Sequence, residues 1–313
     1  MQRMRTTIVL AVLAALVLAV PASANYRVGL SEQDARTFDQ PLWQNLKLKR
    51  VRYVVPWDYA RHDWAVAETT NFMNAARAHK QDVLVMFTAP RGCWNDGRYS
   101  RSKDCRAPSK AAYTRAFKNF KKAFPWVKTY APWNEANHAS QPTAKNPKRA
   151  AQYYDALRKN CRGCKILGAD VLDQSNVRSW LKRFIRYSKN KARLWGLHNY
   201  KDVNRKQSKG LRNVLKTVPG QVWLTETGGI TKFESSGFKR SPSRAKSATK
   251  YMFKLADRFD SRKKGYKSKV TRLYVYRWWG EPDGRFDAGL VNPDGSARPA
   301  YNEFAKYVKR RQK

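Results

Sequence analysis

The chain has 313 residues, of which 64 are Lys or Arg and only 23 are Asp or Glu, giving a formal net charge of +41. The basic residues are spread over the whole length and no recognised nucleic-acid-binding module is present, so no nucleic acid is expected as a partner. Two interpretations of the charge stay open: a solvated surface shared by many helices, or retention by a polyanion such as an anionic cell-wall polymer or acidic glycan.

The first residues have the pattern of an export signal. Arg3 and Arg5 precede an apolar run at positions 8–20, and a small-residue site ends at Ala24. We therefore predict a secretory signal peptide over residues 1–24 and a secreted mature protein. The apolar run falls short of the roughly 20 residues that span a bilayer, and no later segment is apolar enough, so no membrane span is expected after cleavage. An uncleaved anchor is the alternative.

Short β-rich runs then alternate with helical patterns along the chain. Many of the runs are nearly continuous in apolar residues, which is typical of parallel strands buried on both faces. The eight predicted strands are residues 27–31, 50–56, 82–88, 128–133, 165–169, 194–200, 222–225 and 272–278. Between two of them, Tyr113, Phe117 and Phe120 recur at helical spacing before Pro125, and a second such stripe runs from Ala245 to Phe259.

Eight strand–helix alternations predict an α/β fold with a single (β/α)8 TIM barrel over residues 25–313, a size that suits one such domain. An open doubly wound sheet is the competing fold. It usually carries a glycine-rich phosphate turn after its first strand, and the segment VGLSEQDARTF lacks one.

The four cysteines of an exported chain indicate disulfides rather than metal ligands. Pairing of Cys93 with Cys105 and of Cys161 with Cys164 is the simplest of the three possible connectivities. The second pair is a CxxC, which is also found in redox and zinc sites, but no second CxxC and no redox helix accompany it. We expect structural disulfides, no metal site and no cofactor.

Two motifs place glutamates at predicted strand ends. Glu135 follows strand four in PWNEAN, and Glu226 ends strand seven in WLTETGG. The carboxyl ends of barrel strands form one mouth, where the chemistry of such barrels takes place, so both carboxylates are expected to face the same cavity. The alternative for Glu135 is a structural role in the first turn of a helix, where acidic residues are favoured. That alternative does not explain why Glu226 also lies at a strand end.

These motifs resemble those of the retaining (β/α)8-barrel glycoside hydrolases, the clan of cellulases, mannanases, xylanases and β-xylosidases. The resemblance covers essentially the whole mature chain and implies that Glu135 is the acid/base and Glu226 the nucleophile. It also implies that Asn134 contacts the sugar. Arg52, in the segment VRYVVPW, is implied to contact the nucleophile. Strand three ends in MFTAP, without the histidine of several cellulase-like members, so the resemblance does not imply the cellulase-like branch or its substrate.

Further matches imply substrate-binding residues. The segment HNY supplies His198 and Tyr200, and YVYRWWG supplies a strand-eight tryptophan, for which Trp278 is chosen over Trp279. Trp57 at the end of strand two is a second expected sugar platform, since flat aromatic faces stack on sugar rings. Packing or ion pairing within the barrel is the alternative for each of these residues.

The predicted function is that of a secreted retaining glycosidase that cleaves O-glycosidic bonds in a polysaccharide or oligosaccharide. A transglycosylase with the same residues, and a non-catalytic barrel that binds glycans or wall polymers, are the alternatives. Asp170 and Asp173 follow strand five within reach of the mouth, and for Asp173 a cap on the helix that begins near Asn176 is preferred.

Overall fold

The computed structural model describes residues 26–95 and 97–311. The predicted signal peptide therefore lies outside the described residues. Parallel strands form one continuous sheet. In chain order its segments are Arg27–Ser31, Arg50–Pro56, Asp82–Thr88, Thr129–Ala131, Lys165–Ile166, Asp170–Leu172, Leu194–His198, Gly220–Thr227 and Ser268–Tyr276.

Barrel strand five is made of two pieces, Lys165–Ile166 and Asp170–Leu172, which pair with different neighbours. The first piece pairs with strand four and the second with strand six. Hydrogen bonds continue across the residues between them: Leu167 N donates to Tyr130 O over 2.9 Å, and Gly168 N donates to Leu194 O over 2.7 Å. The sheet is thus closed at strand five, and the predicted (β/α)8 fold is confirmed.

Nine α-helices occur within the described residues, and most of them cover the outside of the sheet. They are Pro41–Gln44, Asp63–Ala78, Lys110–Ala123, Pro147–Asn160, Val177–Tyr187, Tyr200–Asn204, Lys209–Thr217, Pro242–Phe259 and Pro299–Arg310. The predicted stripe of Tyr113, Phe117 and Phe120 is buried, as is the second stripe between Ala245 and Phe259. Ser109 and Ser241 begin these two helices as N-caps, each accepting a backbone N–H three residues further on.

A hydrophobic cluster made largely by the strands lies apart from the larger core under the helices. It consists of Leu84, Met86, Ala131, Leu167, Trp223 and Tyr274. The guanidinium of Arg272 lies 3.8 Å from the ring centre of Trp223 and 3.2 Å from Asp82. This packing fills the barrel interior below the mouth, so the polar groups at the strand ends have a rigid floor.

Two short antiparallel pairs lie outside the barrel sheet. Trp94–Asn95 pairs with Arg98–Tyr99, and Lys232–Phe233 pairs with Phe286–Asp287. The first pair lies in the loop closed by the disulfide between Cys93 and Cys105. A second disulfide joins Cys161 to Cys164, so the predicted local connectivity is confirmed. None of the helices among residues 26–95 and 97–311 has the length and apolarity needed to cross a membrane.

Candidate active site

Four barrel strands bring charged side chains to one end of the sheet. Arg52 lies in strand two, Glu135 follows strand four, His198 ends strand six and Glu226 lies in strand seven. Because all strands run parallel, their carboxyl ends meet at the same rim. The two glutamates therefore converge at one cavity, as predicted.

The backbone at Glu135 turns sharply after strand four. Asn134 N donates to Phe87 O over 2.8 Å, and Glu135 has a left-handed φ of 43°. A non-glycine residue in this region costs roughly 1–2 kcal/mol, so its neighbours must hold it there. The N–H of Glu135 donates to Asp170 Oδ2 over 3.3 Å, and the Glu135 side chain is 19% exposed. The turn directs the carboxylate towards the mouth.

The Glu226 carboxylate is bound by two cationic side chains. Arg52 Nη1 donates to Oε1 over 2.8 Å, and His198 Nδ1 lies 2.9 Å from Oε2. Burial raises the pKa of Glu226, but the charges of His198 and Arg52 outweigh it and lower this pKa to about 2. Glu226 is therefore ionised at neutral pH.

Arg52 is fully buried beneath the carboxylates and donates several hydrogen bonds. Besides Glu226, its guanidinium donates to Ser31 Oγ over 2.6 Å and to the Asn134 side-chain oxygen. Burial lowers the pKa of Arg52, but the charges of Glu226 and Asp170 together with the hydrogen bond to Glu226 more than offset this and raise it above the usual value. Arg52 thus provides a permanent positive charge that also orients the amide of Asn134.

His198 lies between the two glutamates. Its Nδ1 is 3.0 Å from Glu135 Oε1 as well as 2.9 Å from Glu226 Oε2. Its Nε2 is 2.8 Å from Asp170 Oδ2, and both of these side chains are fully buried. Burial lowers the pKa of His198, but the charges of Asp170 and Glu226 raise it well above the usual value. The imidazole is therefore held as a cation.

The mouth is a cavity of about 840 Å³ that contains both glutamates, Asn134 and Tyr200. The Tyr200 hydroxyl is buried without a hydrogen-bond partner among the described residues. Burial, and then the nearby charge of Glu226, raise the pKa of this phenol well above its usual value. Tyr200 is thus a neutral donor available to an oxygen that enters the cavity.

Aromatic rings form one wall of this cavity. Phe233 and Phe286 belong to the outer antiparallel pair and contact each other edge to face, with ring centres 5.0 Å apart. Tyr276 at the end of strand eight also lines the cavity, and its ring centre lies 6.1 Å from that of Phe286. Phe233 and Phe286 were not predicted from the sequence, because these loop-borne rings follow no strand-end motif.

Two of the eight predicted site residues lie away from the cavity. Trp278 is fully buried, with its ring edge to face against Trp43 and Tyr301, so it presents no face to a sugar. The prediction for Trp278 is wrong, and Tyr276 occupies the corresponding place. Trp57 lines a separate hollow with Arg61 and Arg115, which corrects the prediction that it lies at the mouth.

Of the two aspartates after strand five, Asp170 differs from expectation in its position and Asp173 in the helix that it caps. Asp170 is buried beneath the glutamates rather than in the open mouth. Asp173 lines the cavity and accepts the backbone N–H groups of Lys201 and Asp202, at 3.4 and 2.9 Å. It therefore caps the helix Tyr200–Asn204 and not the helix that begins at Val177, so that expectation is wrong.

Glu135, His198 and Glu226 each place one oxygen or nitrogen within 4.8 Å of the others, a spacing that a metal ion could bridge. Arg52 Nη1 lies 2.8 Å from Glu226 and neutralises its charge, so a metal ion at this point would adjoin a buried positive charge. The same short spacing suits two carboxyl groups that act on one bond.

A family model described as the glycosyl hydrolase catalytic core matches residues 107–302, more than half of the chain. The chain belongs to this family. It is a glycosidase with a carbohydrate substrate, as the motifs around Glu135 and Glu226 predicted, and both residues lie within the matched region.

Solved structures share the barrel at low sequence identity. The structure of a GH5_18 protein from Streptomyces cattleya in complex with GlcNAc has a TM-score of 0.63 and 14% identity, covering 93% of this chain and 81% of that chain. A GH10 endoxylanase from a sugarcane soil metagenome has a TM-score of 0.60 and 11% identity, covering 91% and 97%. The exo-beta-1,4-mannosidase Op5Man5 from Opitutaceae bacterium strain TAV5 has a TM-score of 0.60 and 14% identity, covering 94% and 62%. A search of the curated proteins found no match to this chain.

Proposed function

We propose that the protein is a retaining glycosidase in which Glu226 is the nucleophile and Glu135 the acid/base. The observation that carries this proposal is the spacing of the two carboxylates, which have oxygens within 4.8 Å of each other. Retaining glycosidases hold their carboxyl groups about 5–5.5 Å apart, whereas inverting enzymes need about 6.5–9.5 Å to admit a water molecule between sugar and base.

The surroundings of Glu226 suit the role of nucleophile. Glu226, with its pKa lowered to about 2, is ionised and can attack the anomeric carbon to form a glycosyl-enzyme. Glu135 gives its proton to the departing glycosidic oxygen as that bond breaks. It then takes a proton from the water that cleaves the glycosyl-enzyme, which regenerates both side chains. Asn134, oriented by Arg52, is placed to bind the sugar hydroxyl next to the reacting carbon.

We expect Glu226→Ala to lower kcat by at least about 10⁴-fold, because no covalent intermediate can form without the carboxylate. Added azide should restore part of the turnover and leave a glycosyl azide, because the small anion fills the space of the missing group. Glu135→Gln is the matched variant: it should lose most activity on poor leaving groups but keep more on activated aryl glycosides. Near-normal turnover by Glu226→Ala would rule out the assignment.

The stereochemistry of the first product tests the same proposal independently. A retaining enzyme releases a sugar with the anomeric configuration of the substrate, which proton NMR detects before mutarotation. A screen of aryl glycosides and purified polysaccharides should begin with mannosides and xylans, because the neighbouring structures include a mannosidase and an endoxylanase. An inverted first product would contradict the role of Glu226 as nucleophile.

We also propose that the protein is exported and held outside the cell by an anionic wall polymer. Its two disulfides support export, because such bonds persist in oxidising compartments. A hollow on the outer face of the barrel supports the second part. It is lined by Lys206, Lys250 and Lys254, and we call it the basic hollow.

The basic hollow offers positive charge that no neighbouring carboxylate neutralises. Within the described part of the chain, its three lysines form no ion pair, and its one acid, Asp257, instead contacts Arg311 and accepts from Tyr26. Lys250 and Lys254 are one helical turn apart, about 6 Å along the axis, so they form a row. A polymer with repeated negative groups can contact the whole row at once.

A further inference from the structure

Asp170 is buried beneath the cavity and forms hydrogen bonds with both glutamate motifs. Its side chain is fully buried, with Oδ2 at 2.8 Å from His198 Nε2 and at 3.3 Å from the backbone nitrogen of Glu135. Its own carbonyl accepts the backbone N–H of Ala136 over 2.9 Å. Oδ1 accepts the hydroxyl of Thr225, the residue directly before Glu226. One buried carboxylate thus touches strands four, six and seven at the points where they carry the catalytic groups.

The fold reserves space for this carboxylate. Gly196 lies in strand six opposite Asp170, and a Cβ at Gly196 would come within 2.1 Å of Asp170 Oδ1 and 3.0 Å of the Thr225 hydroxyl. Any side chain at position 196 would therefore displace the aspartate. A buried carboxylate carries a large desolvation cost, and here a cationic partner, two further donors and a glycine-sized gap offset it.

We propose that Asp170 is a positioning residue of the active site: it holds His198 as an imidazolium between Glu135 and Glu226 and fixes the backbone turn at Glu135. The proposal rests on the proposed function for the meaning of those glutamates. Its structural core, the charge state of His198, can be measured without any substrate.

The charges that face His198 explain why a third carboxylate is needed. Its titratable neighbours, each from a different adjoining segment, are Arg52, Glu135, Asp170 and Glu226. With His198 and Arg52 positive and Asp170 and Glu226 negative, the cluster is neutral while Glu135 keeps its proton. Glu135 holds that proton as the acid before cleavage, so Asp170 balances the cluster in the form that starts the reaction.

Removing the Asp170 charge is expected to remove a proton from His198, and this changes the interaction of its Nδ1 with the two glutamates. A neutral imidazole whose remaining proton sits on Nε2 would turn an unprotonated Nδ1 towards two carboxyl groups 3.0 and 2.9 Å away. That nitrogen could accept the proton that Glu135 must deliver, and it would no longer stabilise ionised Glu226. Since His198 is the leading cause of the low pKa of Glu226, that pKa should rise when the imidazolium is lost.

Nitrogen-15 NMR of the His side chains tests the charge state directly, because the chain contains only four His residues. We expect His198 to keep both ring protons across neutral pH in the parent and to lose one in Asp170→Asn, with His198→Asn identifying its signals. A neutral His198 in the parent at pH 7, or an unchanged signal in Asp170→Asn, would overturn the proposal. Neither result depends on the glycosidase assignment.

Kinetics test the consequence for catalysis. In Asp170→Asn we expect kcat/KM to fall by about 10²–10³-fold, mostly in kcat, and the acid limb of its pH profile to move to higher pH. Because Asp170 acts through His198, adding His198→Asn should cost much less in Asp170→Asn than in the parent. Fully additive effects, or an unmoved acid limb, would count against the proposal.

Asp155→Asn is the matched control for lost buried charge. Asp155 is 8% exposed and accepts the backbone N–H groups of Lys189 and Asn190, within contacts between two outer helices. It should lower stability but leave the His198 signal and the pH profile unchanged. If Asp170→Asn fails to fold, Thr225→Val removes one support of the Asp170 carboxylate without a charge, and the same shift of the acid limb is expected in smaller measure. Its absence would overturn the proposal.

Discussion

Arg52 and His198 contact different oxygens of the same carboxylate, and of the two only Arg52 has a charge that cannot titrate. This difference gives a residue-scale prediction. In Arg52→Met the Glu226 carboxylate loses one of the two charges that lower its pKa, so this pKa should rise from about 2. If Glu226 is the nucleophile as proposed, the acid limb of kcat/KM reports its ionisation and should move to higher pH, with a fall in kcat/KM of about 10²–10³-fold.

The measurement is a pH–rate profile from pH 3 to 9 alongside circular dichroism to show that the barrel is intact. Arg61→Met is the control, since Arg61 is exposed and lies in the separate hollow beside Trp57. It should leave the profile unchanged. An acid limb at the parental position in Arg52→Met would mean that His198 alone sets the ionisation of Glu226.

At the same scale, six of the eight residues proposed from sequence motifs lie at or directly beneath the cavity, because the motifs follow barrel strands whose carboxyl ends meet at one rim. Trp278 was misplaced because strand eight ends at Tyr276, so the alternation of faces does not continue to position 278. There the side chain packs between Trp43 and Tyr301. The role of Asp170 depends on contacts with residues 35 and 55 positions away, and no local pattern encodes them.

At the scale of elements, the disulfide between Cys93 and Cys105 anchors a loop that reaches the cavity. Trp94 in this loop lies against His138, with ring centres 5.8 Å apart, and His138 lines the cavity. The bond closes a sequence separation of 12 residues, whereas Cys161 and Cys164 are separated by only 3. Longer closed loops restrict the unfolded chain more.

We therefore expect Cys93→Ser/Cys105→Ser to lower the free energy of unfolding by about 3 kcal/mol and Cys161→Ser/Cys164→Ser by about 2 kcal/mol, measured by urea titration. The first variant should also raise KM, because Trp94 is no longer held against His138, while kcat changes by less than about twofold. The second variant is the control for KM. Equal kinetics in both variants would exclude a role of the loop in the cavity.

The sequence predicted the bounds of the first three barrel strands correctly. It did not predict the bounds of strands four and five, whose ends depend on pairing with residues far away in the chain. Strand four is shorter than predicted, and strand five is split because its two pieces bond to different neighbours. The prediction extended strand six to Tyr200, but Tyr200 begins a helix capped by Asp173. The apolar patterns indicate which residues are buried; the ends of strands depend on which partners the closed sheet supplies.

On the scale of the whole molecule, a net charge of +41 is expected to give some binding to any polyanion. A test of the basic hollow must therefore separate the effect of where the lysines lie from the effect of how many charges are removed. We predict that replacing Lys206, Lys250 and Lys254 with Gln lowers affinity for immobilised polygalacturonate roughly tenfold. Each exposed contact contributes about 0.2–1 kcal/mol and is weakened by salt. Elution from the column should therefore need less salt than for the parent.

The control variant replaces Lys110, Lys118 and Lys122, which removes the same charge from the exposed face of a different helix. It should elute close to the parent. The same polymer with its carboxyl groups reduced to alcohols should retain neither protein. If both triple variants lose affinity equally, the binding reflects diffuse charge and the basic hollow has no special role.

The active cavity draws Arg52 and Glu135 from the first half of the chain and His198 and Glu226 from the second, meeting only across the closed cylinder. Turnover should therefore vanish as soon as either half separates, before much helix is lost. Two fragments made by cutting the backbone between the halves should each be inert, and mixing them should recover catalysis only to the extent that the cylinder reassembles.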